Sequence, residues 1–378
     1  METVITKHMS IYPERCLNNR SAADYCRICV DVCPLNAIDL SVDGVRFDVS
    51  QCNACALCLS DCPTEVFTHR EFAPLDFIAM VAGKTELGLI CRFSDAEKVV
   101  AGSLAIPCLG LLDDILLAGL RAAGVEQLYL YGLNKCETCL SRVGGQRLSQ
   151  AMEAAGSVQS YLPEMRDMSE NVNVIPLALL EDRPDREAVE KPMSRRGFLG
   201  SMAKDVAYVA ISTLPDSLQQ ESDLVASFQN ECMVKHVPQS QQLALSNISN
   251  LGIAAGASNW FHEVCACGEC DACGICSLAC PSGALYAEKS EHAWQLHHRA
   301  VACIACGLCT SLCPHQALQL QPFKEQELIL DEEASTLYEC RQSVCSACGR
   351  SFSSPDGQVK LCKPCENERL IESQWLGK

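Results

Sequence analysis

CDACGICSLACP (residues 270–281) and CIACGLCTSLCP (residues 303–314) decide the fold of this chain, because they repeat one cysteine spacing. In each, three cysteines are separated by two residues, and a fourth follows after three more and precedes a proline. CNACALCLSDCP (residues 52–63) repeats the spacing a third time. Three thiolates on so short a turn can face one cuboidal iron–sulfur cluster, while the cysteine before the proline points to a neighbouring cluster. The spacing therefore predicts cluster-binding segments at both ends of the chain.

The 28 cysteines are the dominant feature of this 378-residue composition. Disulfide scaffolds are typical of short secreted chains, whereas METVITKHMSIYPERC at the start has no apolar signal segment. The cysteines are therefore predicted to bind metal in a reducing compartment, the cytoplasm. The longest apolar run, SLAIPCLGLLDDILLAGL, is interrupted by Asp113 and Asp114, so no membrane span is expected. The net charge of −17 argues against nucleic acid as the main partner and favours a basic patch on another protein.

Paired motifs of this spacing resemble the two-cluster bacterial ferredoxins, in which two [4Fe–4S] clusters exchange their fourth ligands. The segment between the later motifs alternates around Trp294 and Leu296 and predicts a hairpin. Cys265 and Cys267 lie upstream of the register and are predicted to be spare. For the later domain the resemblance implies two ligand sets: Cys270, Cys273, Cys276 and Cys313, and Cys303, Cys306, Cys309 and Cys280.

In the early domain one ligand set lacks a cysteine, because Ala23 stands where the usual run has its first one. Three outcomes are open: a three-iron cluster, a non-cysteine ligand, or ligation by Cys16. Cys16 is favoured, because the cost of closing a loop grows only slowly with its length. The connecting segment IDLSVDGVRFDVSQC predicts two short strands with a turn at Asp43–Gly44. The resemblance implies the sets Cys52, Cys55, Cys58 and Cys33, and Cys26, Cys29 and Cys62 with Cys16.

Between the ferredoxin-like ends, short apolar runs alternate with helical patterns and predict a three-layer α/β domain with parallel strands. One predicted helix begins at Asp113 and stops at Gly124, and the next carries Leu148 and Met152 on one side. Ligands gather outside the carboxyl ends of parallel strands, so four thiols at these ends are expected to converge on a metal. The predicted strands are 87–91, 103–108, 125–132 and 172–177, and the four thiols are those of Cys91, Cys108, Cys136 and Cys139.

The central stretch, residues 85–160, resembles the iron–sulfur delta subunit of the methyl-viologen-reducing hydrogenases. IPCLGLLDDILLAGLRAAG and YGLNKCETC carry the resemblance, with a strand-end cysteine, a turn into a helix and a cysteine pair in that order. It implies a [2Fe–2S] cluster on the four central cysteines, with zinc as the alternative. It also points to hydrogenase or formate-dehydrogenase-like partners.

CSACGRSFSSPDGQVKLCKPC (residues 345–365) predicts a zinc ribbon. Its two cysteine pairs flank a turn at Pro355–Gly357 and are spaced to place four thiolates tetrahedrally around Zn²⁺. Basic residues are few here, so a structural cap or docking surface is expected rather than a nucleic-acid site. Cys232 and Cys340 stay unassigned. The four predicted zinc ligands are Cys345, Cys348, Cys362 and Cys365.

The predicted architecture is a multidomain α+β protein of five segments. SRRGFLG (residues 194–200) matches the twin-arginine export consensus, but its internal position predicts no export. The segments are two dicluster ferredoxin-like domains (1–80 and 259–325), a central α/β parallel-sheet domain (81–180), a linker with a helical segment (181–258) and a small zinc ribbon (326–378).

The sequence lacks a nucleotide-binding glycine loop after a strand, a Walker loop and a Ser/His/Asp grouping. Its eight histidines are scattered and expected at the surface. The leading prediction is an electron-transfer protein that relays single electrons between a redox donor and a partner oxidoreductase, as a carrier or subunit without its own catalytic site. Two alternatives stay open: an accessory or maturation factor for a metalloenzyme, and a reductase acting at the central metal.

Overall fold

The computed structural model divides the chain into two compact units. The first unit is Met1–Met202 with His236–Phe261 and Phe323–Leu330, and the second is Ala203–Lys235 with His262–Pro322 and Asp331–Lys378. SRRGFLG, Cys232, most of the predicted linker and the predicted ribbon turn lie outside the described residues. The residues described are 4–5, 8–20, 26–41, 44–96, 98–168, 175–176, 235–254, 258–290, 293–323, 334–354 and 359–376.

The early cysteine-rich part of the first unit consists of two one-turn helices and short antiparallel strands. Helix α1 ends one residue before Cys33 and α2 ends one residue before Cys62, because each helix occupies the residues before the last cysteine of its motif. The expected pair of strands around the Asp43–Gly44 turn is confirmed, although Asp43 itself lies outside the described residues. The strands pair as β3 with β4 and in the order β1–β2–β5. Their bounds are α1 Ile28–Val32, α2 Leu57–Asp61, β1 Val4–Ile5, β2 Met9–Ile11, β3 Ile38–Ser41, β4 Gly44–Phe47 and β5 Phe67–His69.

A four-stranded parallel sheet follows in the same unit, in the order β10–β9–β6–β8. Three of its strands were expected from their apolar runs. The fourth differs from the prediction, because residues 175–176 pair antiparallel with residues 98–99 and do not join this sheet. Strand β10 is the fourth strand of the sheet instead. It lies at an edge of the sheet, and its mostly exposed sequence EMRD contains no apolar run. The strands are β6 Glu86–Cys91, β7 Lys98–Val99, β8 Leu104–Ile106, β9 Gln127–Tyr131, β10 Glu164–Asp167 and β11 Ile175–Pro176.

Helices pack on this sheet through one large apolar core. The predicted start of α4 is confirmed, since the carboxylate of Asp113 accepts the backbone N–H of Leu116 at 2.7 Å. The next predicted helix is also present and buries Leu148. The helical part of the predicted linker packs against α4, where the amide of Asn247 donates to the carbonyl of Ile115 at 2.8 Å. The helices are α3 Pro74–Val81, α4 Asp114–Ala122, α5 Gly144–Ala154 and α6 Gln239–Leu251.

The second unit repeats the cysteine-rich arrangement and adds a longer sheet. The predicted hairpin around Trp294 and Leu296 is confirmed as β13 and β14, and β16 pairs with β14 to extend it. Strand β17 pairs back onto β16 ahead of Cys345. The elements are β12 His262–Ala266, α7 Ile275–Ala279, β13 Leu285–Lys289, β14 Ala293–His298, α8 Leu308–Leu312, β15 Leu318–Pro322, β16 Ser335–Val344, β17 Ser351–Ser354 and α9 Lys363–Leu376.

This mixed architecture with several sheets is consistent with the predicted multidomain α+β class. Within the described residues, no helix combines the length and apolar character needed to cross a membrane.

Candidate functional site

Two cavities in the second unit are lined by the two cysteine sets expected for the later domain. Each set comes from both motifs, since the last cysteine of one motif faces the first three of the other. Four thiols that converge on one cavity supply the four sulfur ligands that a [4Fe–4S] cluster requires. The first cavity is lined by Cys270, Cys273, Cys276 and Cys313, and the second by Cys280, Cys303, Cys306 and Cys309.

A third cavity of the same kind lies in the early domain. Its cysteines come from both early motifs, as the resemblance implied. Burial raises the pKa of the Cys58 thiol well above its ordinary value, and the neighbouring thiols of Cys55, Cys52 and Cys33 raise it further. Four thiols that line one cavity, one of them buried and three half-buried, supply the ligands of a metal cluster, so this cavity also fits one. Its cysteines are Cys33, Cys52, Cys55 and Cys58.

A left-handed residue bends the backbone at the same place in three of the motifs. Ala54, Ala272 and Ala305 have φ of 53°, 57° and 52°. The bend directs the N–H of Ala54 to the Sγ of Cys52 at 3.3 Å and that of Ala272 to the Sγ of Cys270 at 3.4 Å. Hydrogen bonds to the sulfur favour the thiolate and tune the potential of a bound cluster.

Cys16 lies beside the three thiols of the incomplete early set. Its side chain is buried, and burial raises its pKa to about 11, with the Cys62 and Cys26 thiols adding to the rise. Asn18 holds this turn in place, since its Nδ2 donates to the carbonyl of Cys26 and its Oδ1 accepts the N–H of Cys26, both at 2.8 Å. Burial, together with the neighbouring thiols of Cys62 and Cys16, raises the pKa of Cys29 to about 12. The structure thus brings the four thiols together, while ligation by Cys16 stays a prediction.

The four central cysteines meet at the carboxyl edge of the parallel sheet. The Cys108 thiol donates a hydrogen bond to the Cys91 sulfur, which lowers the pKa of Cys91 to about 6 and raises that of Cys108. Burial raises the pKa of Cys136, and the neighbouring Cys91 and Cys139 add to this. The N–H of Arg142 donates to the Sγ of Cys139 at 3.4 Å. The group therefore has the composition of a four-thiolate metal site, with its metal type still a prediction.

Helix α5 begins directly beside this group, and a glycine permits the approach. A Cβ on Gly144 would lie 2.8 Å from the Sγ of Cys108, a distance that side chains do not tolerate. A Cβ on the neighbouring Gly145 would lie 3.6 Å from the Sγ of Cys136, which is ordinary contact. Only the first glycine is therefore required by the cysteine group.

The four ribbon sulfurs all lie within 4.8 Å of one another. The Sγ atoms of Cys348 and Cys362 are 3.7 Å apart. Tetrahedral geometry with Zn–S bonds of about 2.3 Å places two sulfurs about 3.8 Å apart, so this separation suits Zn²⁺. The N–H of Cys362 donates to the Sγ of Cys345 at 3.3 Å, and this bond is the main cause that lowers the pKa of Cys345 to about 6. The cysteine pairs thus fit the predicted metal, while zinc itself stays a prediction.

Some cysteine and histidine side chains are buried at positions that no sequence pattern indicated. Cys340 is buried on β16, and its thiol donates to the carbonyl of Cys270 at 3.9 Å, because strand pairing brings it there. The expectation that the histidines lie at the surface is wrong for His69 and His298, which are 5% and 2% exposed. Burial lowers the pKa of each to about 4.

His8, His69 and Glu71 also lie close enough to share a cation, with one ligand atom of each within 4.8 Å of the others. The Nδ1 of His69 accepts the N–H of Glu71 at 3.2 Å, so the neutral ring carries its proton on Nε2. The Nη2 of Arg92 lies 3.4 Å from the Nε2 of His8. A protonated ring nitrogen and a guanidinium make this group a poor cation site.

Residues 269–317 match the family model of the 4Fe-4S dicluster domain. The match spans the later pair of motifs and the two cavities that they line. No curated protein and no solved structure matches the chain. The match supports [4Fe–4S] binding and an iron–sulfur electron-transfer role for this protein.

Proposed function

We propose that this protein relays single electrons between a redox donor and a partner oxidoreductase of the hydrogenase or formate-dehydrogenase-like class. The relay uses four [4Fe–4S] clusters and a [2Fe–2S] cluster on the central cysteines, and the ribbon binds a structural Zn²⁺. Such clusters, when bound, accept and donate one electron at a time. The chain's own residues hold the sulfur ligands rigid and set their hydrogen bonds and burial. The net charge of −17 supports a partner that docks through a basic surface.

The observation that carries the proposal is that Cys55 and Cys108 lie in one buried apolar cluster. Both side chains are buried, at 9% and 4% exposure, and they form one apolar cluster with Leu57. Cys55 belongs to the early cavity and Cys108 to the central cysteine group. A ligand of one proposed centre and a ligand of the next therefore lie in the same buried cluster, and this proximity supports a continuous path between them.

An ion pair reinforces this junction from a neighbouring position. Arg147 on α5 contacts the carboxylate of Asp61 on α2. Its Nε also donates to the carbonyl of Gly110 at 3.4 Å. The guanidinium thereby joins the end of an early cysteine motif to the turn that follows Cys108, which keeps the two ligand loops in register during electron transfer.

The relay can be tested on anaerobically purified protein by stepwise reduction with dithionite, followed by electron paramagnetic resonance. We expect the central signal and one four-iron signal to broaden each other through spin–spin interaction. Cys108→Ser should remove both the central signal and this broadening, whereas Cys267→Ser should leave them unchanged. The reduced protein should also pass electrons to the partner without turnover of its own. Central and four-iron signals that remain independent would contradict the path through Cys55 and Cys108.

A further inference from the structure

One position in the cysteine motif makes the same backbone contact in both units. Asn53 and Asp271 each directly follow the first cysteine of a motif. The Oδ1 of Asn53 accepts the N–H of Cys55 at 3.3 Å, and the Oδ1 of Asp271 accepts the N–H of Cys273 at 3.3 Å. Each side chain therefore holds the amide of the second cysteine of its own motif.

The second polar atom of each side chain reaches a residue beside a separate cysteine site. The Nδ2 of Asn53 donates to the Oγ of Ser141 at 2.8 Å, two residues after Cys139. The Oδ2 of Asp271 accepts from the Nζ of Lys363 at 2.9 Å, one residue after Cys362. In each unit, one short side chain thus links a cluster loop to another cysteine group.

Further contacts strengthen both links. Ser141 is 2% exposed and also hydrogen-bonds the sulfur of Cys55, which lowers the pKa of that thiol against the larger raising effect of burial. In the second unit, the Nε2 of His315 lies 3.0 Å from the Oδ2 of Asp271 and 2.9 Å from the Nζ of Lys363. These three side chains link the ribbon to both cysteine motifs that line the cavity of Cys270, Cys273, Cys276 and Cys313.

The later motif that begins at Cys303 has a different residue at this position, Ile304. An isoleucine side chain has neither donor nor acceptor, so it cannot accept the cysteine amide. In the second unit the double contact is therefore specific to the loop of Asp271. In the first motif of the chain the corresponding position is that of Asp24, which lies outside the described residues.

We propose that Asn53 and Asp271 are positioning residues that couple one cluster of each unit to its second cysteine site. Asn53 couples the cluster of Cys52, Cys55, Cys58 and Cys33 to the central cysteines. Asp271 couples the cluster of Cys270, Cys273, Cys276 and Cys313 to the ribbon. The inference rests on the proposed function only in that the clusters are bound.

The physical coupling in the second unit is electrostatic and involves no bond making. A metal on Cys362 fixes the start of α9, and with it the position of the Lys363 ammonium at the cluster loop. A nearby positive charge favours the reduced form of a cluster, because reduction adds negative charge. Zinc in the ribbon thereby raises the reduction potential of one cluster, and the cluster loop in turn favours the zinc-bound ribbon.

The test is a potentiometric titration of the full chain, followed by electron paramagnetic resonance with all four four-iron signals resolved. Lys363→Met should lower the potential of one four-iron signal and leave the other three in place. Lys360→Met removes an exposed charge of the same ribbon and serves as the control. Asp271→Ala should weaken zinc binding about two- to fivefold, as expected for a partly exposed ion pair. Asp271→Asn keeps the amide contact and should have a smaller effect.

Zinc removal with a chelator, carried out on the wild type and on Lys363→Met, completes a thermodynamic cycle between the ribbon metal and the lysine. In the wild-type protein we expect the same four-iron signal to move to lower potential, whereas in Lys363→Met zinc removal should move it little further. In the first unit, Asn53→Ala should shift one four-iron signal and the central signal together, while Ile304→Ala in the second unit should not move the central signal.

Two negative outcomes are distinguishable. If Lys363→Met and zinc removal leave every potential unchanged while the iron content is that of the wild type, the coupling is wrong and the proposed electron relay stands. If the purified protein gives no four-iron signals, the proposed function fails and the coupling fails with it.

Discussion

The side chain of Asn18 joins the Cys16 turn to Cys26, since it pairs with both backbone polar groups of that residue. We predict that Cys16→Ser converts one early four-iron signal into a three-iron signal or removes it, because a serine oxygen is a poor replacement for a thiolate at iron. Electron paramagnetic resonance together with iron content measures the change. Cys267→Ser is the control, because Cys267 is exposed and donates to the carbonyl of Gln316. Two unaltered early four-iron signals in Cys16→Ser would mean that Cys16 is not a ligand.

Gly144 and Gly145 provide a matched pair at the central cysteines. We predict that Gly144→Ala reduces metal affinity at this site about tenfold or more, because its Cβ would displace the Cys108 sulfur. Gly145→Ala should retain the metal, since its Cβ meets only ordinary contacts. The central-site signal and bound metal per chain measure both variants. Equal metal content in the two variants would contradict the steric argument.

At the scale of elements, α4 begins with a half-buried capping carboxyl, Asp113, that also responds to pH. Burial raises the pKa of Asp113 to about 7, with Asp114 and Asp61 adding to the rise and Arg147 opposing it. The folded state therefore binds this proton more tightly than the unfolded state. The contribution of this carboxyl to stability is present below its unfolded pKa of about 4 and is lost as pH rises towards 7.

Asp113→Asn keeps a capping side chain and removes the titration. Between about pH 4 and 7, we predict that the free energy of unfolding of the wild type falls relative to this variant by up to about 1.4 kcal/mol per pH unit. Anaerobic chemical denaturation at several pH values measures the difference. If the free energy of unfolding changes with pH in the same way in both proteins, Asp113 is not the source of the pH dependence.

The backbone carbonyls at the end of helix α7 accept hydrogen bonds from a lysine. The Nζ of Lys235 donates to the carbonyls of Ser277, Leu278 and Cys280 at 3.0, 3.1 and 2.6 Å. We predict that Lys235→Met lowers the potential of the cluster proposed on Cys280 and the second later motif, because a cation near a ligand favours the reduced state. Potentiometric titration measures the shift, with the exposed Lys289→Met as control. An unchanged potential in Lys235→Met would contradict this role.

The elements that sequence patterns predicted well are those with local signals. The capping carboxylate before α4 and the alternation around Trp294 act within a few residues, so both elements form where expected. The edge strand β10 was missed because solvent on one side removes the apolar run that marks a buried strand. The Lys235 contacts also could not be predicted from sequence patterns, because their partners lie more than forty residues away in the chain.

At the scale of the whole molecule, the ligand sets predict the metal content. We expect on the order of 16 to 18 irons per chain, with matching sulfide, and one zinc, from four cubanes, a two-iron site and the ribbon. Elemental analysis of anaerobically purified protein measures this. Fewer than about 12 irons would contradict five clusters. A second zinc with a correspondingly lower iron count would assign zinc to the central cysteines instead.

The resemblance to the two-cluster ferredoxins, which the cysteine spacing carries, implied which thiols come together within each motif pair. It could not predict which loops meet the additional cysteine groups. The Asn53–Ser141 contact joins residues 88 apart and the Asp271–Lys363 contact residues 92 apart. Such contacts depend on how sheets and helices pack, and no local pattern encodes them.

Strand β16 lies between β14 and β17 and leads directly into the first ribbon cysteine pair. Because the ribosome delivers β14 before β16, the hairpin between the later cluster motifs is available as a template when the ribbon emerges. Without the hairpin, β16 would keep one unpaired edge, because β17 covers only the other. Open edges of this kind invite aggregation and proteolysis. The strand order therefore makes the full pairing of the strand ahead of the first ribbon cysteine pair depend on the hairpin between the later cluster motifs.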